Sequence, residues 1–269
     1  MTSPALALAP RHIPSASVGY DDHRDAPLRD WQGPQERPIT LLLNDTAMVA
    51  LLATPESLEP LALGHAFTAG WIDSLDQVQD VQLARLRHGL SVTLRVAPGV
   101  AARAEEARRP AASVSSCGAC GMADEAQLMA GLKRLEAWPP LPSEALRQGL
   151  GELEARARRG QHGALGLDGG GWVVMDGWDI GRHNALDRVI GEGLRRGRMP
   201  DAVLLSSRCS LELVQKTVRA GISTLATLSH PSAMAVEVAR ACGLNLICCH
   251  RGRRLELISG HEPAASHRS

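Results

Sequence analysis

The residues best suited to chemistry are two cysteines three positions apart. In Ser115-Ser116-Cys117-Gly118-Ala119-Cys120-Gly121, glycines stand inside and directly after the pair, where the backbone can turn sharply and approach a partner closely. Downstream, Met122, Ala126, Met129, Leu132 and Leu135 recur at steps of three and four, the period of one helix face. The spacing predicts a tight loop at a helix N-terminus, where the helix dipole and unpaired N–H groups favour a thiolate. A thiolate is both a soft metal ligand and a nucleophile. Zinc would need two more ligands; Cys209, Cys242, Cys248, Cys249 and ten histidines could supply them, but there is no second Cys-x-x-Cys. A redox pair would favour a thioredoxin-like frame, and the elements upstream read as hairpins instead. A sulfur carrier needs only an exposed thiol of low pKa on a mobile loop. Spacing alone leaves metal, redox and carrier uses open.

A second group is Asp179-Ile180-Gly181-Arg182-His183-Asn184-Ala185-Leu186-Asp187. Asp179 or Asn184 could cap the helix that follows. Polar and glycine residues crowd this βα junction more than capping needs, and such junctions at strand carboxyl ends are where ligands bind. Ser206-Ser207-Arg208 and Ser229-His230-Pro231 follow the next two strands. Being at equivalent βα ends, they could converge with the first run on one anion-binding crevice. His250-Arg251-Gly252-Arg253-Arg254 lies between two apolar runs. Its guanidinium forks suit phosphate, although a basic turn is usually only a solvated surface.

The elements that must hold these groups divide the chain. Residues 1–35 show no period and read as a loosely ordered extension. Residues 36–112 read as an α+β part. It has one hairpin around Asn44-Asp45, a helix from Leu58 to about Gly70, and a second hairpin from Val81 to Val96. The charged stretch from Ala101 to Ala112 is a surface helix or a linker. Residues 113–142 hold the cysteine loop and its helix, closed by Trp138-Pro139-Pro140-Leu141-Pro142, since proline interrupts a helix. Residues 143–269 begin with a helix from Ser143 to about Arg159 and an apolar run from Ala164 to Leu167. A strand from Trp172 to Met175 follows the glycine turn. Helices and strands then alternate to Cys249, which predicts an α/β layer with a mostly parallel sheet.

Bulk composition narrows the function. Lys plus Arg equals Asp plus Glu at 29 each, so no overall field draws nucleic acid or an acidic membrane. One Phe, one Tyr and five Trp leave few stacking platforms for bases. No uncharged apolar run reaches spanning length, and the start lacks a secretory pattern. A cytoplasmic protein is expected, with neither nucleic acid nor membrane as partner. Six cysteines in 269 residues fit free thiols better than a disulfide framework.

The chain resembles the formate dehydrogenase accessory sulfurtransferases, the FdhD/NarQ family, from about Glu36 to Leu257. The likeness rests on Cys117-Gly118-Ala119-Cys120-Gly121, the run from Asp179 to Asp187, Ser207-Arg208 with Ser210, Glu212 and Lys216, and finally Ser229, Pro231 and Arg251-Gly252. The resemblance implies a sulfur carrier that takes persulfide sulfur from a cysteine desulfurase. It would deliver that sulfur to molybdenum bis(molybdopterin guanine dinucleotide), the bound substrate, and so activate the formate dehydrogenase catalytic subunit. It further implies a cytidine-deaminase-like C-terminal layer, a homodimer and no permanent metal.

By the same resemblance Cys117 is the persulfide cysteine and Cys120 its partner. The cofactor contacts would fall on Asp179, Gly181, Arg182, His183, Asn184, Ser207, Arg208, Cys249, His250, Arg251, Gly252, Arg253 and Arg254. Three positions depart from the family pattern. Arg158-Arg159-Gly160-Gln161-His162 stands for a Thr-Gly-Gly-x-His loop, Trp178 for an acidic residue, and Cys249 for an aromatic one. The competing reading is a zinc-dependent hydrolase or deaminase. It wants a His-x-Glu upstream of Pro-Cys-x-x-Cys; no His-x-Glu precedes Cys117, and Ser116 takes the proline position.

Overall fold

Alternating apolar residues build the first sheet. In β3 (Arg37–Leu43), Ile39, Leu41 and Leu43 are fully buried and the residues between them are not, as a pleated strand with one covered face requires. The computed structural model describes residues 16–17, 29–30, 33–108, 129–250 and 254–261. At the N-terminal edge, β1 (Ala16–Ser17) and β2 (Arg29–Asp30) make a two-rung antiparallel ladder. β3 turns at Asn44, whose φ of 53° is tolerated by its short polar side chain, into β4 (Thr46–Ala53). β5 (Val78–Leu86) and β6 (Gly89–Val96) form the second hairpin, and the four strands order as β4-β3-β6-β5. Both expected hairpins are present.

Two helices cover this sheet. α1 (Leu58–Thr68) contributes Leu58, Leu61, Ala62, Leu63 and Ala66 to the core, and α2 (Pro98–Arg108) contributes Ala101 and Ala104. The charged stretch after the second hairpin is therefore a helix, one that starts earlier than expected.

After α2 the chain is next described at Met129. The helix expected through Leu135 ends here by Gly131, which takes the left-handed φ of 72° typical of a helix stop. Beyond it, the Leu135 N–H donates to the Cys242 carbonyl at 2.8 Å, and Leu132 and Leu135 pack on the second core. Their three-residue spacing serves an extended strap instead of a helix face.

The second sheet holds the candidate loops. α3 (Ser143–Ala155), β7 (His162–Leu167), β8 (Val173–Asp179), α4 (Arg182–Arg196), β9 (Ala202–Leu205), α5 (Leu211–Arg219), β10 (Thr224–Thr227), α6 (Ala233–Cys242), β11 (Asn245–Cys249) and β12 (Leu255–Ser259) follow in order. The strand order is β12-β11-β10-β9-β7-β8. β9, β10 and β11 are parallel neighbours, whereas β7 pairs antiparallel with both β8 and β9, and β12 antiparallel with β11. The sheet is thus mixed, not mostly parallel, because a hairpin closes one side and a C-terminal strand the other. Helices α4, α5 and α6 bury one face and α3 the other, an α/β arrangement.

Two consequences of the topology matter for the site. Since β7 opposes both β8 and β9, strands β8, β9, β10 and β11 all run the same way and their carboxyl ends share one edge. The two sheets are joined by α1 against α4 at backbone distance. A Cβ at Gly64 would overlap the Asp187 carbonyl, and one at Gly191 would overlap the Pro60 carbonyl. Only glycine fits such an approach.

Candidate functional site

The loops after β8, β9 and β10 meet in one cleft. Arg182, Arg208, Cys209, Ser210, His230, Pro231 and Ser232 line a cavity of about 450 Å³ at the carboxyl edge of the sheet. This is the convergence that equivalent βα junctions predict. Arg208 is exposed, and Arg182 has a buried Nε with no hydrogen-bond partner among the described residues. Two guanidinium groups at one edge suit an anion. The N-termini of α4, α5 and α6 open on the same edge, adding partial positive charge. Ser232 caps α6 by accepting the Ala235 N–H.

His183 is held at the rim by α5. Its Nε2 lies 2.8 Å from Glu212 Oε2 and 3.3 Å from Ser210 Oγ. Burial alone would push the Glu212 carboxyl up, but the hydrogen bond and charge of His183 hold it below the ordinary range. His162, at the start of antiparallel β7, reaches the same edge opposite Asp179. Burial and then the charge of Arg182 lower its pKa, so it stands as a neutral imidazole near neutral pH.

Asp179 has a different place from the one expected. Its carboxylate is fully buried and its two oxygens are filled. Oδ1 accepts the Gly181 N–H and Asn184 Nδ2, each at 2.9 Å, and Oδ2 accepts the Thr54 N–H and Arg188. Asn184 also donates to the Leu52 carbonyl. Arg188 extends the network to the carbonyls of Thr54, Glu56 and Ser57. Asp179 and Asn184 therefore shape the Gly181 loop and tie it to the first sheet, and neither carboxylate oxygen is open to a ligand. Gly181 is needed because a side chain there would crowd Asn184 Nδ2.

Asp187, at the end of the same run, anchors a second buried knot. Lys216 Nζ lies 2.8 Å from both carboxylate oxygens, Thr68 Oγ1 donates at 3.0 Å and His65 Nδ1 lies at 3.3 Å. Burial raises the Asp187 carboxyl, but Lys216 first and His65 next bring it down to about 2. His65 is itself lowered by burial. This knot lies between α1, α4 and α5 and positions the helix that bears Arg182 and His183.

The remaining expected residues divide. Ser207 is buried, with its hydroxyl on the Arg208 carbonyl. Cys249 packs in the core beneath α3 with its thiol pushed up to about 12 by burial. Its side chain thus cannot make the cofactor contact expected of it, because alternation along β11 points it away from the cleft. His250 is half-buried and its backbone N–H donates to the Arg254 carbonyl; Arg254 is exposed. Cys117, Cys120, Arg251, Gly252 and Arg253 lie outside the described residues, as do Met122, Ala126 and most of residues 1–35.

Sequence reasoning singled out Ser210, Glu212 and Lys216 only by resemblance, and missed Thr54, His65, Thr68 and Arg188 as partners. Glu212 carried a weak signal as an acidic residue in a first helical turn, where such residues are ordinary. No helix among the described residues is long and apolar enough to cross a membrane.

Comparison with known proteins agrees with this architecture. The profile of the FdhD/NarQ family matches residues 34–264. A sulfur carrier protein FdhD of Burkholderia mallei is 37% identical over 229 residues, 79% of this chain and 83% of its own. One from Bordetella bronchiseptica is 34% identical over 220 residues, 79% of this chain and 80% of its own. The crystal structure of a protein from Desulfotalea psychrophila, described as a formate dehydrogenase accessory protein, superposes with a TM-score of 0.63 at 20% identity, over 85% of this chain and 88% of its own. With a family match across most of its length and relatives above 30% identity, this chain belongs to the FdhD/NarQ family.

Proposed function

We propose that this protein carries sulfur from a cysteine desulfurase to the molybdenum bis(molybdopterin guanine dinucleotide) substrate of a formate dehydrogenase. The observation that best supports the reading is the cleft holding Arg182 and Arg208 at the carboxyl edge of the second sheet, in a chain that also carries the Cys117–Cys120 pair. The cleft offers guanidinium and hydroxyl donors and positive charge from Arg182, Arg208, Ser210 and Ser232, which suit the pyrophosphate end of that substrate.

In this reading the Cys117 thiolate attacks the outer sulfur of a desulfurase persulfide. The donor's S–S bond breaks, its cysteine leaves as a thiolate, and Cys117 holds the new persulfide. Arg182 and Arg208 bind the nucleotide end of the substrate, while Glu212 and Ser210 hold His183 at the rim. Holding both reactants on one protein replaces an encounter in solution by a local transfer. Asp179, Asn184, Asp187 and Lys216 act through the loop and helix that they position.

The test is maturation of sulfur-free formate dehydrogenase by purified components. Wild-type protein with a desulfurase and cysteine restores formate oxidation. The Cys117→Ala and Arg182→Ala variants restore little, the first for want of sulfur and the second for want of substrate. Restoration by Cys117→Ala at the wild-type level would overturn the proposal.

A further inference from the structure

We propose that His230, Cys248 and His250 form a binding site for one zinc ion, separate from the Cys117–Cys120 pair. One potential ligand atom from each lies within 4.8 Å of the other two. They come from three places: the loop after β10, the body of β11, and the residue that follows β11. Two imidazoles and one thiol are a borderline-soft donor set, which selects zinc over calcium or magnesium. Tetrahedral zinc holds its ligands roughly 3.5 Å apart, so the site closes by side-chain movements of about 1 Å.

The neighbours complete the arrangement. Glu256 Oε2 lies 2.7 Å from His250 Nε2. A carboxylate on one ring nitrogen orients the imidazole and would leave Nδ1 to take the metal. Glu256 is held there by register, since β12 places it directly opposite Cys248 and paired residues share a face. The His230 and His250 rings meet edge-on with centroids 4.8 Å apart. Cys248 is buried, His250 half-buried and His230 exposed, so the thiol forms a closed floor and the fourth position opens to water.

Binding replaces the Cys248 S–H bond by a sulfur–zinc bond and releases one proton. Zinc would pin the loop after β10 to the end of β11 and so fix one wall of the cleft, which His230 also lines. This proposal departs from the expectation of no permanent metal. The inference does not depend on sulfur carriage by Cys117.

The experiment is a cobalt titration of metal-stripped, full-length protein carrying Cys117→Ser and Cys120→Ser together, so that the paired cysteines cannot contribute. One equivalent of cobalt is expected to give a thiolate-to-cobalt charge-transfer band that one equivalent of zinc abolishes. Cys248→Ser in that background removes the band. His230→Ala and His250→Ala each weaken binding at least tenfold, and Glu256→Gln weakens it about tenfold. Because His230 is exposed, its variant is expected to fold, and circular dichroism checks this for each. Failure of the double variant to bind cobalt would overturn the proposal, as would unchanged affinity in His230→Ala and His250→Ala.

Discussion

The Asp179 carboxylate and the Arg188 guanidinium meet at 2.6 Å with 0% and 3% of their side chains exposed. The contact joins the end of β8 to the second turn of α4, nine residues on, and it also fastens the Thr54–Ser57 turn of the first sheet. Removing one partner leaves a buried charge with nothing opposite it. Asp179→Ala is expected to cost about 3–5 kcal/mol, seen as a lower midpoint in urea unfolding. A loss below about 1 kcal/mol would mean that the pair does not hold the two sheets together.

Backbone contact between α1 and α4 gives a second expectation. Gly64→Ala and Gly191→Ala drive a methyl group into a carbonyl oxygen of the facing helix, so each should destabilise by about 3 kcal/mol or more. Gly70→Ala is the control: its φ of 74° resists a side chain, but nothing lies within 4 Å, and its cost should be about 1 kcal/mol. Equal losses at all three sites would contradict the helix contact.

Acid should loosen the Asp187 knot in two stages. His65 is held below its ordinary 6.5 by burial, so its neutral form stabilises the fold above that pH and the contribution fades as pH falls below it. Asp187 is held at about 2 against an ordinary 3.8. Its charged form therefore stabilises the fold above pH 3.8, on the order of 2 kcal/mol, and this is lost as pH falls from 3.8 toward 2. Unfolding free energy measured against pH should show both limbs, with His65→Gln removing the upper one. Lys216→Met should cost about 3 kcal/mol at neutral pH and raise the Asp187 pKa.

Anion binding in the cleft can be read without the maturation assay. Arg182→Ala and Arg208→Ala should each weaken binding of guanosine diphosphate about tenfold, the worth of one charge-assisted hydrogen bond, while leaving persulfide loading of Cys117 intact. Calorimetry at two salt concentrations checks this, since the wild-type affinity should fall as salt rises. An effect on loading but not on nucleotide affinity would place the arginines elsewhere in the reaction.

Several of these features are legible in the sequence. Asn44-Asp45 marked its hairpin because few residues tolerate the left-handed turn. The polar runs after Asp179, Leu205 and Thr227 pointed to one crevice because strand ends that run together bring their loops together. What could not be read was decided by contacts distant in sequence. Asp179 looked like a ligand-binding residue, since nothing in the run shows that Thr54 and Arg188 fill its oxygens. Leu132 and Leu135 kept helical spacing although Gly131 ends the helix, because an extended strap buries the same residues against Cys242. The antiparallel place of β7 was hidden too, as its apolar run reads alike in either direction. Nothing near Cys248 in the sequence shows that the β11–β12 register sets Glu256 opposite it.

The most direct test of the central claim is mass mapping of persulfide after incubation with a cysteine desulfurase and cysteine. The account predicts a gain of one sulfur atom on the peptide bearing Cys117, retained in Cys120→Ala and absent in Cys117→Ala. Sulfur loaded and delivered by Cys117→Ala as well as by the wild type would contradict it.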